Sequence, residues 1–300
     1  MASLKDLKKR IGSVKNTQQT TRAMKLVSAA KLRRAQEAVL AQRPYALEIR
    51  YLLTRLARAV EDKSQSTPLL ASLEGVPAES RRVLMVAMSS DRGLCGNFNS
   101  QVIRNLDRWI QEQKKQVADV KVFALGRRVG EFIQRRYPEA LWRREEWGNR
   151  VTSSQVAEYT NEVVNAVESG AFHEVWVTFT QFENAITQTL KMERLLPVLG
   201  HSLEETAEEA GQDIDLALIK PNAEGLLERL LARFTSSQMF RCALESQASE
   251  HGARMTAMSN ATNNAGEMIE KLTLSYNKQR QANITSELSE ITSGSEALKA

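Results

Sequence analysis

The chain has 300 residues, of which 42% are hydrophobic, 26% charged and 6% aromatic, a composition that fits a folded protein and excludes a disordered or collagenous one. No stretch approaches the roughly 20 consecutive apolar residues that cross a bilayer, and Met1 to Arg10 lack the apolar segment of a signal peptide, so the chain is expected to stay in the compartment where it is made. The net charge of +5 is uneven: residues 1–60 hold fourteen basic and three acidic side chains, 61–239 hold 21 and 26, and 240–300 hold six and seven.

The basic segment, residues 1–60, reads as one helix. Ser3 followed by Asp6 is a capping-box pattern, and Leu4, Leu7, Ile11 and Val14 recur at alternating steps of three and four. The seam turns polar from Asn16 to Thr21 and resumes through Met24, Val27, Ala30 and Ala35. Pro44 predicts a kink or local break, after which Leu47, Tyr51, Leu52, Leu56 and Val60 continue the stripe. A helix over residues 3–60 is on the order of 85 Å long, too long for a small core to cover. A linker is expected at 61–79.

The period changes in residues 80–200. Runs rich in β-branched and aromatic residues at 82–89, 120–125 and 174–181 predict strands, and 101–113, 127–136 and 154–168 predict amphipathic helices between them. That alternation suggests a small α/β domain with a largely parallel sheet. Residues 185–197 add an expected hairpin edge strand.

The loop Ser89 to Asn97 follows a strand and precedes a helix, where α/β proteins place binding loops. It lacks both G-x-G-x-x-G and G-x-x-x-x-G-K-[ST], so it reads as a tight turn or a partner-contact loop, not a phosphate cradle. Cys95 beside Arg92 has no histidine nearby in sequence to act as a base. Gly126 to Gly130 (GRRVG) reads as a helix start. Cys95 and Cys242 are the only cysteines, and His173, His201 and His251 lie far apart without metal-ligand spacing. No metal or cofactor is expected.

A second linker, with Glu204, Glu205, Glu208 and Glu209, is expected at 201–221, and residues 222–300 read as another long helix. Pro221 and Asn222 mark its start, Leu226, Leu227, Leu230, Leu231 and Phe234 its first apolar face, and Gly294 its stop. Met255, Met258, Thr262, Ala265, Ile269, Leu272 and Tyr276 keep a three-four spacing, whereas Asn277 to Thr285 is polar. Two long helices rooted in one middle domain bury their seams by lying antiparallel. The expected architecture is therefore a two-helix coiled coil plus a Rossmann-like α/β domain, arranged as a spindle. Residues 1–44 contain no aromatic side chain, which argues against a nucleic-acid partner.

Four stretches resemble the γ subunit of the F-type ATP synthase, the central-stalk rotor: IGSVKNTQQTTRAMKLVSAAKLRRA from Ile11, DRGLCGN from Asp91, ESQASEHGARMTAM from Glu245 and YNKQRQANITSELSEI from Tyr276. The resemblance implies a shaft inside a ring of three α and three β subunits, and a foot joined to the ε subunit and the ring of membrane c subunits. It implies a non-catalytic subunit, peripheral to the cytoplasmic face of a bacterial inner membrane. Met24 would pass the acidic loop of a β subunit, with Lys25, Arg33 and Arg34 facing acidic partner surfaces. Arg280, Gln281, Thr285 and Glu287 would form a polar catch, and Asp91, Arg92 and Cys95 would lie on the loop nearest the ring. Asn97 and Phe98 stand where many relatives carry Gly and Tyr or Leu. The paired regulatory cysteines of chloroplast members have no counterpart here.

Overall fold

The computed structural model describes residues 3–59, 68–70, 76–148, 150–198 and 223–297. Most of the expected linker 61–79, all of 201–221, and the predicted start at Pro221 and Asn222 lie outside the described residues. Contacts group the chain into two compact units, Met1–Ser28 with Arg254–Ala300, and Ala29–Ala253.

Helix α1, Leu4–Ala59, opens with the predicted capping box: the Asp6 amide donates to Ser3 Oγ at 3.2 Å, and the Ser3 amide donates back to Asp6 Oδ2 at 3.3 Å. Its covered side follows a seven-residue period, through Leu7, the half-buried Val14, Thr21, Ser28, Ala35, Gln42, Ile49 and Leu56, with Leu32 and Leu53 between them. This is the period of a coiled-coil seam. Pro44 lies inside the helix without ending it, so of the expected kink or local break, the break does not occur. It sits on an exposed face, so the carbonyl it leaves unpaired meets water.

The C-terminal helix, here α5, runs Ala223–Ala297. Gly294, expected to stop it, stays helical and exposed; glycine terminates a helix by turning left-handed, and this one does not.

In the first unit the two helices pack antiparallel. Thr21 Oγ1 and Thr262 Oγ1 lie 2.8 Å apart, Gln18 Nε2 donates to the Thr262 carbonyl at 3.4 Å, and a Cβ on Gly266 would come within 3.1 Å of Gln18 Nε2. Part of the polar stretch Asn16 to Thr21 is therefore used inside the pair, while Asn16, Thr17, Gln19 and Thr20 are exposed. From Met258 onward the buried or half-buried positions of α5 are Met258, Ser259, Ala261, Thr262, Ala265, Gly266, Ile269, Leu272, Tyr276 and Gln279; from Arg280 to Ser295 every residue is exposed.

The second unit is built on a five-stranded sheet of order β3-β2-β1-β4-β5. Its strands are β1 Arg82–Met88, β2 Asp119–Leu125, β3 Leu141–Glu145, β4 Glu174–Phe182 and β5 Gln188–Leu196. β1 pairs parallel with β2 and β4, β2 pairs parallel with β3, and β4 pairs antiparallel with β5. The helices between are α2 Phe98–Gln113, α3 Arg127–Arg136 and α4 Ser153–Glu168. Three strands, three helices and the hairpin edge agree with the sequence reading to within a few residues; β3 was not foreseen.

Alternation along β1 explains its unbroken apolar run, because both faces are covered. Val83, Met85 and Ala87 join Val102, Leu106 and Ile110 of α2 and Val129 and Ile133 of α3. Leu84, Val86 and Met88 join Val156 and Val163 of α4, Ile49 and Leu53 of α1, and Leu227, Leu231 and Met239 of α5. In this unit, too, α1 and α5 meet: the buried Gln42 amide donates to Ser237 Oγ at 2.9 Å and to the Ser237 carbonyl at 3.1 Å.

Candidate functional site

The loop Ser89 to Asn97 leaves the carboxyl end of β1, where the chain turns one way to β2 and later returns on the other side to β4. This is the topological switch point at which open α/β sheets bind ligands. A bound phosphate there would need the first amides of a helix. In this chain those amides have internal partners. Arg127 N donates to Asp91 Oδ1 at 3.0 Å, Arg128 N to the Ser90 carbonyl at 3.3 Å, and Val129 N to Ser89 Oγ at 3.0 Å. The second Asp91 oxygen accepts from Gly148 N at 2.9 Å, and the Trp147 indole donates to the Ser89 carbonyl at 3.1 Å. A carboxylate where a phosphate would sit repels anions and completes the helix cap.

Close backbone approach makes this packing possible. Gly126, immediately before α3, has φ +101°, and a Cβ there would lie 2.2 Å from the Ser89 carbonyl oxygen. From the first turn of α2, Asn99 receives the Ser90 amide on Oδ1 at 3.0 Å and donates from Nδ2 to Cys95 Sγ at 3.1 Å. Cys95 is 2% exposed and packs with Phe98 and Ala253. The loop's outward side is Arg92 and Leu94, the latter 64% exposed with φ +61°. As an arrangement, this is a self-satisfied joint with an exposed tip.

The remaining residues singled out from sequence fall into separate groups. Met24 and Lys25 are half-buried in the first unit, and in the same unit Arg280, Gln281, Thr285 and Glu287 are exposed on the uncovered end of α5. The Thr285 hydroxyl donates to the Gln281 carbonyl at 2.9 Å. Arg33 and Arg34 are exposed on α1 in the second unit, Arg33 pairing with Glu37 at 3.1 Å.

One feature of the second unit has no signal in the sequence. A cleft of about 400 Å³ is lined by Arg50 of α1, Trp176 of β4, Glu193 and Arg194 of β5, and Gln238, Arg241 and Cys242 of α5. Arg241 bridges its helix to the strand, reaching Glu193 at 2.6 Å and Glu245 at 3.2 Å. Burial pushes the Glu245 carboxyl up against the pull of Arg241, and it pushes the Cys242 thiol up to about 12. Four elements contribute to this cleft, so no local spacing could have announced it. Among the described residues no group of His, Cys, Asp and Glu side chains is placed to hold a metal ion, and no helix is long and apolar enough to cross a membrane.

The family described as ATP synthase matches residues 3–298. The ATP synthase gamma chain of Geobacter metallireducens is 44% identical over 302 residues, covering 100% of both chains. That of Geobacter sp. strain M21 is 44% identical over 305 residues with the same coverage. Among solved structures, a chain of the Euglena gracilis mitochondrial ATP synthase, in its OSCP/F1/c-ring part, superposes with a TM-score of 0.68 at 20% identity, over 98% of this chain and 94% of that one. At that identity the likeness speaks for the fold.

Proposed function

The chain belongs to the ATP synthase gamma-chain family, and from that premise we propose that it is the central-stalk rotor, turning c-ring rotation into conformational change at the β-subunit catalytic sites without doing chemistry itself. Its partners in this reading are three α and three β subunits, the ε subunit and the c ring. It is peripheral to the cytoplasmic face of a bacterial inner membrane.

The observation that carries the proposal is the end of α5. Residues 280–295 are exposed on every face, yet Ile284, Leu288 and Ile291 are apolar and 47%, 59% and 68% exposed. A helix of this kind gains from a surrounding sleeve, and the α and β subunits supply one. Arg280, Gln281, Thr285 and Glu287 then meet the sleeve's lip, Met24, Lys25, Arg33 and Arg34 meet acidic β surfaces, and the Asp91–Cys95 loop lies nearest the ring's edge. Because a single shaft presents a different side to each of three β subunits, its contacts differ among their conformers, and such a difference is what drives one conformation at the expense of another.

The test is reconstitution with matched α and β subunits. One copy per three αβ pairs, with steady ATP hydrolysis that depends on this chain, is the expected result. Failure to bind them, with nucleotide hydrolysis by the chain alone, would overturn the reading. Met24→Lys is expected to impair coupling through a new ion pair with acidic β residues; undiminished proton pumping per ATP would refute that contact.

A further inference from the structure

The cleft between β5, α1 and α5 holds more guanidinium donors than its own acceptors satisfy. Each nitrogen of the Arg241 guanidinium has an acceptor: beyond Glu193 and Glu245, its Nε donates to Gln238 Oε1 at 3.0 Å, and its guanidinium lies 5.3 Å from the Phe179 ring. Glu193 is thereby neutralised. Arg194 differs. Among the described residues its Nε is buried without a hydrogen-bond partner, and its nearest carboxylate oxygen, Glu174 Oε2, is 3.9 Å away. That oxygen already accepts from the Trp176 indole at 3.0 Å, and the other oxygen of Glu174 pairs with Arg81 at 3.2 Å. The Arg194 fork instead lies over Trp176, 5.8 Å from the ring centroid. Arg50, half-buried on α1, lines the same cleft, and no carboxylate among the described residues pairs with it.

We propose that this cleft binds a small oxyanion, a phosphate or carboxylate group gripped by Arg50 and Arg194. Guanidinium is a planar fork that cannot be deprotonated, and its donors match the oxygens of such groups in pairs. Val177, Leu195 and Phe234 form the apolar part of the wall, which lowers the local dielectric and strengthens each charge-assisted hydrogen bond. A volume of about 400 Å³ admits a phosphate or a small phosphorylated or carboxylated metabolite. The site is independent of the rotor reading, since none of its lining residues is among those given contacts to the α and β subunits.

The test is equilibrium dialysis of the full chain against labelled inorganic phosphate, with ionic strength held constant by chloride. Saturable uptake of one phosphate per chain is expected, weakened about tenfold or more by Arg194→Gln or Arg50→Gln. Arg194→Lys, which keeps the charge and loses the fork, falls between. Arg135→Gln, which alters an exposed arginine 4.0 Å from Glu131, leaves uptake unchanged. Competition with AMP and with citrate assigns the bound group: displacement by AMP identifies a phosphomonoester, displacement by citrate a carboxylate, and resistance to both free phosphate. Circular dichroism checks that each variant folds, and Arg50→Gln carries the test alone if Arg194→Gln does not. Absence of saturable uptake by the folded parent, or equal losses in Arg135→Gln and Arg194→Gln, overturns the proposal.

Discussion

The Asp91 carboxylate accepts a hydrogen bond from the backbone amide of Arg127 at 3.0 Å, 36 residues away in sequence, and its other oxygen takes the Gly148 amide at 2.9 Å. One side chain therefore joins the loop after β1, the first residue of α3 and the turn after β3. Asp91→Ala strips both amides of their acceptor and is expected to destabilise the fold by about 1–3 kcal/mol. Asp91→Asn keeps one acceptor oxygen but loses the charge that favours a helix start, so it falls between parent and alanine variant. Urea unfolding midpoints rank the three; an alanine variant as stable as the parent would mean that water replaces the carboxylate without loss.

Two glycines offer opposite outcomes for the same substitution. Gly126→Ala forces a Cβ to within 2.2 Å of the Ser89 carbonyl oxygen at φ +101°, so both backbone strain and a backbone clash oppose it. A loss above about 3 kcal/mol is expected. Gly12 lies within α1 with nothing among the described residues inside 4 Å of an added Cβ, and Gly12→Ala is expected to stabilise by about 0.5–1 kcal/mol through reduced backbone entropy of the unfolded chain. Thermal unfolding of the two variants under identical conditions separates these signs.

What the sequence made legible follows from how local each signal is. The strands β1, β2 and β4 and the helices between them announced themselves because both faces of the sheet are buried, which keeps the apolar runs unbroken. β3 did not, because Arg143 and Arg144 interrupt the run Leu141–Glu145. In the folded chain Arg143 lies over the rings of Phe123 and Tyr159, 5.5 and 5.2 Å from their centroids, and pairs with Glu145 and Glu162, so an arginine does the work of an apolar residue. The α1 seam was evident where it carries Leu7 and Ile11. It was hidden where Thr21, Ser28 and Gln42 occupy the same heptad position. At the candidate site, the place of the Asp91–Asn97 loop after a strand could be read, but the amides that Asp91 serves could not, since they come from α3 and the turn after β3.

Gln42 and Ser237 provide the clearest measure of how a polar seam is held. Gln42 is 9% exposed and Ser237 5%, and their side chains meet at 2.9 Å. Gln42→Ala leaves Ser237 Oγ without this donor and opens a small cavity, for an expected loss of about 1–3 kcal/mol. Ser237→Ala leaves the Ser237 carbonyl as an acceptor for Gln42, so it is expected to cost less. A double-mutant cycle should give a coupling of about 0.5–1.5 kcal/mol; additive losses would show that each side chain acts by packing alone.

Cys242 supplies a pH-dependent prediction with a defined sign. Burial disfavours its thiolate, moving the group from 9.0 to about 12. A thiol whose folded value is raised contributes stability that is fully present below its unfolded value and lost as pH rises from about 9 towards 12. Cys242→Ala lacks that dependence, so its stability should approach the parent's as pH is raised from 8.5 to about 10.5, whatever the cost of the missing sulfur at neutral pH. Alkylation gives an independent readout, because the thiolate is the reactive form. With iodoacetamide at pH 8, the peptide containing Cys242 should remain unmodified by mass spectrometry in the native chain and become labelled only as denaturant opens the core around Leu231, Met239 and Ala243. Labelling of native Cys242 at the rate of a free thiol, or a parent-to-alanine difference that stays constant with pH, would refute this account of its burial.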